Sequence, residues 1–123
     1  MASGTIKNLP FTRLDSLWTN PASTSNFAAQ DVSVDLDGYD FVAIKVRFTP
    51  TATSVTVTLM FYPIRDGQDC YIFIVNNSNN YTGGRTFTYS DANKAIHFTK
   101  GQYNANTTDN AHIIPLEIYG VKL

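Results

Sequence analysis

The sequence predicts an all-β fold: an antiparallel β-sandwich of about eight short strands, with jelly-roll topology as one arrangement and an open-ended barrel as the alternative. Three observations carry this. Apolar and polar residues alternate in several short windows. Turn-forming residues separate those windows at intervals of roughly 8 to 15 residues. No window holds apolar residues at three-four spacing over the length a helix needs, and Pro10, Pro21, Pro50, Pro63 and Pro115 interrupt the ambiguous stretches.

In chain order, a weak first strand spans Arg13 to Trp18, where Trp18 follows Leu14 and Leu17 and reads as a core tryptophan closing one end of the sandwich. Val32-Ser33-Val34-Asp35-Leu36 alternates next. Asp37-Gly38 then supplies the positive φ angles of a tight reversal. Phe41 to Phe48 follows, with Val42, Ile44, Val46 and Phe48 on one face and Phe41, Ala43, Lys45 and Arg47 on the other. The two strands around Asp37-Gly38 are expected to form a hairpin. Val55-Thr56-Val57-Thr58-Leu59 repeats the half-buried pattern, its β-branched threonines suiting the pleat. Tyr71 to Val75 is a continuous apolar run, which predicts a strand buried on both faces. Arg85 to Tyr89, Ala95 to Phe98 and Ile113 to Val121 complete the set. Residues 76–84 and 101–110 read as polar loops rich in amides and hydroxyls.

With 123 residues, one domain is the default, divided here into an N-terminal arm (1–12) and the sandwich (13–123). Charged residues make up 15% of the chain against the roughly 25% of an ordinary protein, so the surface is neutral and hydrogen-bonding. A net charge of -1 and nine scattered basic residues disfavour nucleic acid and anionic membranes as partners. No apolar stretch approaches the ~20 residues of a membrane span, and Met1 to Lys7 lacks the apolar centre of a signal peptide. The chain is therefore expected to stay in the compartment where it is made. Cys70 is the single cysteine, which leaves no internal disulfide and no Cys-rich zinc site; its apolar neighbours mark it as a buried small hydrophobe.

For catalysis, a nucleophile needs a base and the base an orienting group. His97 and His112 lie among apolar residues and read as ordinary strand histidines. Glycoside hydrolysis needs paired carboxylates, whereas Glu117 is the lone glutamate and the aspartates favour turns. Asp35, Asp37 and Asp40 offer hard oxygens of the kind Ca²⁺ takes but fit turn stabilisation better, so neither a metal nor a cofactor is expected. Asn-x-Ser/Thr sequences at Asn76, Asn80 and Asn106 follow from the composition. The amide-rich loops have positive content. Asn79, Asn80 and Tyr81 in one, and Tyr103, Asn104 and Asn106 in the other, combine aromatic stacking with amide hydrogen bonding. That chemistry suits a sugar or a protein partner.

Leu17-Trp18-Thr19-Asn20-Pro21, Thr24-Ser25-Asn26-Phe27-Ala28-Ala29-Gln30, Val34-Asp35-Leu36-Asp37-Gly38-Tyr39-Asp40 and Ile114-Pro115-Leu116-Glu117-Ile118-Tyr119-Gly120-Val121-Lys122 form a recurrent set. Together they resemble a β-rich module of tailed bacteriophages and prophages of Gram-positive gut bacteria, found at the C-terminus of tail or baseplate proteins and also free-standing. The resemblance runs from Leu17 onward, with a gap between about Thr49 and Thr99, and its motifs mark scaffold, so no functional residue is carried over. It implies a virion-surface module, assembled in the bacterial host cytoplasm and often trimeric, contacting the host envelope or a neighbouring virion protein. With no anchoring domain ahead of the module, attachment is expected through its own surface or the arm Met1 to Thr12; a free-standing protein of this size also resembles a capsid decoration protein. Two other classes compete: a carbohydrate-binding module for bacterial surface glycans, and a depolymerase, which would need carboxylates converging in a cleft.

Overall fold

The computed structural model describes residues 13–51, 54–76, 81–104 and 109–123. The expected arm, residues 1–12, lies outside them. Nine strands are present among the described residues: β1 (Arg13–Thr19), β2 (Gln30–Ser33), β3 (Phe41–Thr51), β4 (Ser54–Pro63), β5 (Asp69–Asn76), β6 (Tyr81–Ser90), β7 (Ala95–Phe98), β8 (Gln102–Tyr103) and β9 (Ile113–Lys122). They form two antiparallel sheets, ordered β1-β9-β3-β4 and β2-β7-β6-β5, with β8 added to β6. The sandwich is as the sequence predicts. β1, β2 and β3 alternate between the sheets as in a jelly roll, whereas β4 stays beside β3 as its hairpin partner.

One dry core joins the sheets. Val42, Ile44, Val46 and Phe48 of β3 meet Ile72 and Ile74 of β5, Phe87 of β6 and Ile96 and Phe98 of β7. The face of β3 that alternation selects is the buried one. Phe27 extends the aromatic centre, edge-on to Phe98 at 5.4 Å and to Trp18 at 6.1 Å. Trp18 is half-buried against the core.

Three expectations are corrected. The segment 32–36 does not form a hairpin with β3: β2 pairs with β7 in the opposite sheet, in register Val32↔Ile96. The reversal at Asp37-Gly38 does occur, with Gly38 at φ +83° and Tyr39 N–H donating to Leu36 C=O at 3.2 Å, but it carries the chain from one sheet to the other. A local turn fixes a change of direction; which strands then pair is decided by burial of Val32, Val34 and Leu36.

The second correction concerns β4. Its register with β3 pairs Phe48 with Thr56, Val46 with Thr58, Ile44 with Met60 and Val42 with Tyr62, so the threonine row faces inward. Val55 (56% exposed), Val57 (50%), Leu59 (36%) and Phe61 (53%) face out. The period of two is right and the face is reversed, because Met60 and Tyr62 continue the threonine row into the core rim.

The third is β5. Ile72 and Ile74 are buried, but Tyr71 (47% exposed), Phe73 (48%) and Val75 (44%) point outward, so the run is buried on one face alone. Cys70 is half-exposed at the core margin rather than fully buried.

Candidate functional site

The amide-rich segments are shorter as loops than the sequence suggests. Tyr81 opens β6, and Tyr103 closes β8, which pairs with β6 through Gly83↔Tyr103 and Gly84↔Gln102. This pairing brings the two tyrosines together, ring centroids 5.6 Å apart. Tyr103 lies flat on His112 at 3.9 Å and 10°, with Phe48 behind it at 6.3 Å. Desolvation in this stack raises the Tyr103 hydroxyl above its ordinary pKa.

Asn104 adopts φ +50°, a left-handed conformation that asparagine tolerates. Its N–H donates to Thr82 C=O and its Oδ1 accepts from Thr82 N–H, both at 2.9 Å, so the amide is part of the scaffold. Of the six predicted contact residues, Tyr81, Tyr103 and Asn104 thus come together at one end of the sandwich. Asn79, Asn80 and Asn106 lie outside the described residues. His112 joins them, and no local feature of its sequence neighbourhood signals this.

Behind this aromatic end, Arg85 is fully buried between the sheets. Its guanidinium donates to Thr99 C=O at 2.5 Å and, through two nitrogens, to Ile113 C=O at 2.9 and 3.2 Å. These bonds tie the segment after β7 to the start of β9. Burial lowers its pKa to about 10, which still leaves it charged at neutral pH.

Comparison with protein-family models, with curated proteins and with solved structures finds no match.

The ionisable groups fall into local roles. His112 Nδ1 sits 2.7 Å from Asp109, whose other oxygen accepts from Ala111 N–H at 2.7 Å. His97 Nδ1 sits 2.6 Å from Asp31 across the β2–β7 ladder. Both histidines therefore have a carboxylate partner, which their sequence context did not show. Among the described residues, no serine, threonine or cysteine hydrogen-bonds to either ring in the way an activated nucleophile does. Asp35 accepts from Asp37 N–H at 3.0 Å, Asp37 pairs with Lys94 at 2.8 Å, and Asp40 accepts from Leu123 N–H at 2.8 Å. No group of three or more His, Cys, Asp and Glu side chains placed to hold a metal ion is found among the described residues.

A second concavity, of about 400 Å³, is lined by Trp18, Asn20, Asn26, Phe27, Gln30 and Asp31. Asn20 is held in place by donating to Pro115 C=O and accepting from Ala22 N–H, both at 2.8 Å. Sequence reasoning placed Trp18 in the core and missed this groove, because Gln30 and Asp31 reach it through the β2–β7 pairing.

Proposed function

We propose that this chain is a non-enzymatic structural module displayed on a bacteriophage virion, as a tail or baseplate host-binding module or as a capsid decoration subunit. The observation that carries the reading is the meeting of Tyr81, Tyr103 and His112 at one end of the sandwich. Stacked aromatic rings that stay partly exposed make a contact surface suited to an envelope glycan or a neighbouring virion protein. The resemblance to phage virion modules supports the same setting and a homotrimeric state.

The test is retention of the purified chain on host cells and on phage particles, for wild type, Tyr81→Ala and Tyr103→Ala, with folding checked by circular dichroism. Loss of retention in both folded variants supports this end as the contact surface. Unchanged retention rules it out.

A stand-alone carbohydrate-binding module is the second reading, favoured by the groove beside Trp18, which offers an indole and several amides. Binding to bacterial glycans on an array, lost on Trp18→Ala and kept on Tyr103→Ala, would select it.

A further inference from the structure

Asp-Gly occurs twice in the chain, at Asp37-Gly38 and at Asp66-Gly67. Both pairs stand at the centre of a reversal. Tyr39 N–H donates to Leu36 C=O at 3.2 Å around the first, and Gln68 N–H faces Arg65 C=O at 3.5 Å around the second. Both glycines are left-handed, at φ +83° and +72°, and all four residues are exposed. In sequence, backbone shape and exposure the two pairs are alike.

Their hydrogen bonds differ. Gly67 N–H donates to Tyr89 C=O and Asp66 Oδ1 accepts from Asp91 N–H, both at 2.8 Å. The end of β6 and the residue after it thus hold the nitrogen and the carboxyl of this pair in separate bonds. Gly38 N–H, by contrast, has no acceptor among the described residues. The Asp37 carboxylate is held by Lys94 alone, at 2.8 Å, between side chains that are 64% and 40% exposed. An ion pair so open to water restrains its partners weakly.

One reaction depends on this difference. The main-chain nitrogen after a protonated aspartate can attack the side-chain carboxyl, and a glycine there offers no Cβ to obstruct the approach. A bond forms between the glycine nitrogen and aspartate Cγ, the carboxyl hydroxyl leaves with the amide proton as water, and a five-membered succinimide results. Water then adds back. Opening at Cγ restores aspartate, whereas opening at the main-chain carbonyl leaves the chain running through Cγ, as isoaspartate. One water is lost and one regained, so the product has the mass of the starting chain and no oxidant or other reactant is needed.

We propose that Asp37-Gly38 is a site of self-modification, converting to isoaspartate in the folded chain, while Asp66-Gly67 is protected by its bonds to β6 and Asp91. Attack by Gly67 must first break its bond to Tyr89 C=O and free the carboxyl from Asp91 N–H. Attack by Gly38 needs only the release of Asp37 from Lys94, whose ammonium slows the reaction by favouring the carboxylate, the form with no hydroxyl to lose. The consequence falls on the crossover between the sheets. Leu36 N–H donates to the Tyr89 hydroxyl at 3.2 Å, and Gly38 C=O accepts from Lys122 Nζ at 2.7 Å. Isoaspartate inserts an extra main-chain carbon between these anchors, so the aged chain is expected to melt at a lower temperature. The proposal goes beyond the virion reading and does not depend on it.

The test is to age the purified chain at pH 6, folded or in urea, and to follow tryptic peptides 14–45 and 66–85, which carry one Asp-Gly pair each. Electron-transfer fragmentation distinguishes isoaspartate from aspartate at equal mass. In the folded chain, isoaspartate is expected to build up at least several-fold faster at residue 37 than at residue 66, and in urea the two rates should converge. Lys94→Gln, with folding confirmed by circular dichroism, should speed the reaction at 37 and leave 66 unchanged. Equal rates in the folded chain, or a faster rate at 66, overturn the proposal. So does a difference that persists in urea, which would assign it to neighbouring residues rather than to the fold.

Discussion

The Arg85 guanidinium lies 5.2 Å from the centre of the Phe27 ring, a cation held between two sheets over an aromatic face. Its hydrogen-bond partners are the carbonyls of Thr99 and Ile113, so it acts as a staple across three segments of backbone. Arg85→Met would keep much of the volume and leave both carbonyls without this donor. The expected cost is about 2–6 kcal/mol, from two buried acceptors losing their partner. Urea unfolding measures it; a loss below ~1 kcal/mol would mean that water or a shift of β9 replaces the staple.

Two glycines separate backbone strain from steric contact. Gly38 holds φ +83° with open space where a Cβ would lie, so Gly38→Ala is expected to cost about 1–2 kcal/mol from conformation alone. Gly120 has no such φ, but an added Cβ would lie 2.6 Å from the Tyr39 ring. Gly120→Ala must push that ring off the sheet and disturb the Tyr39 hydroxyl's bond to Asp15, 2.7 Å long. Thermal melts of both variants should show the larger loss at Gly120, and Tyr39→Ala should relieve the Gly120→Ala penalty in a double-mutant cycle.

That same bond gives a dependence on pH. The Tyr39 hydroxyl, and then Arg13, hold the Asp15 carboxyl below its usual 3.8. A carboxylate depressed in the folded state contributes stability that is fully present above 3.8 and is lost as pH falls through the folded value. Tyr39→Phe should therefore be less stable than wild type at pH 6, with the difference shrinking below pH 4. Urea midpoints at both pH values check this. A difference that is constant with pH would assign the effect to packing of the ring.

Burial raises the Cys70 thiol above its ordinary 9.0, which lowers the fraction of reactive thiolate. Alkylation by iodoacetamide at pH 8 is expected to be at least several-fold slower in the folded chain than in urea. Equal rates would place the sulfur in water rather than at the core margin.

How far the sequence carried depends on how local each feature is. The inward face of β3 was legible because Lys45 and Arg47 mark the other side. β4 was not, since valine and threonine suit a pleat equally and its face is set by the register with β3, Val46 opposite Thr58. The turn at Gly38 was legible from two residues, whereas the sheet that β2 joins depends on Ile96, 64 residues after Val32. At the aromatic end, Tyr81 and Tyr103 are legible because a tyrosine stands out in an amide-rich segment. His112, which completes the stack, lies in the bend just before β9 and is brought there by that strand's place in the sheet. Arg85 looked like an ordinary strand residue because its partners are backbone carbonyls, which leave no mark in a sequence.

The most direct test of the function proposed here is to find the chain in its particle. Density-purified virions, digested and analysed by mass spectrometry and labelled in the electron microscope with antibody to the purified chain, should contain it in many copies at a fixed position on head or tail. Particles that carry no label, with the chain left behind in the soluble lysate, would contradict the account.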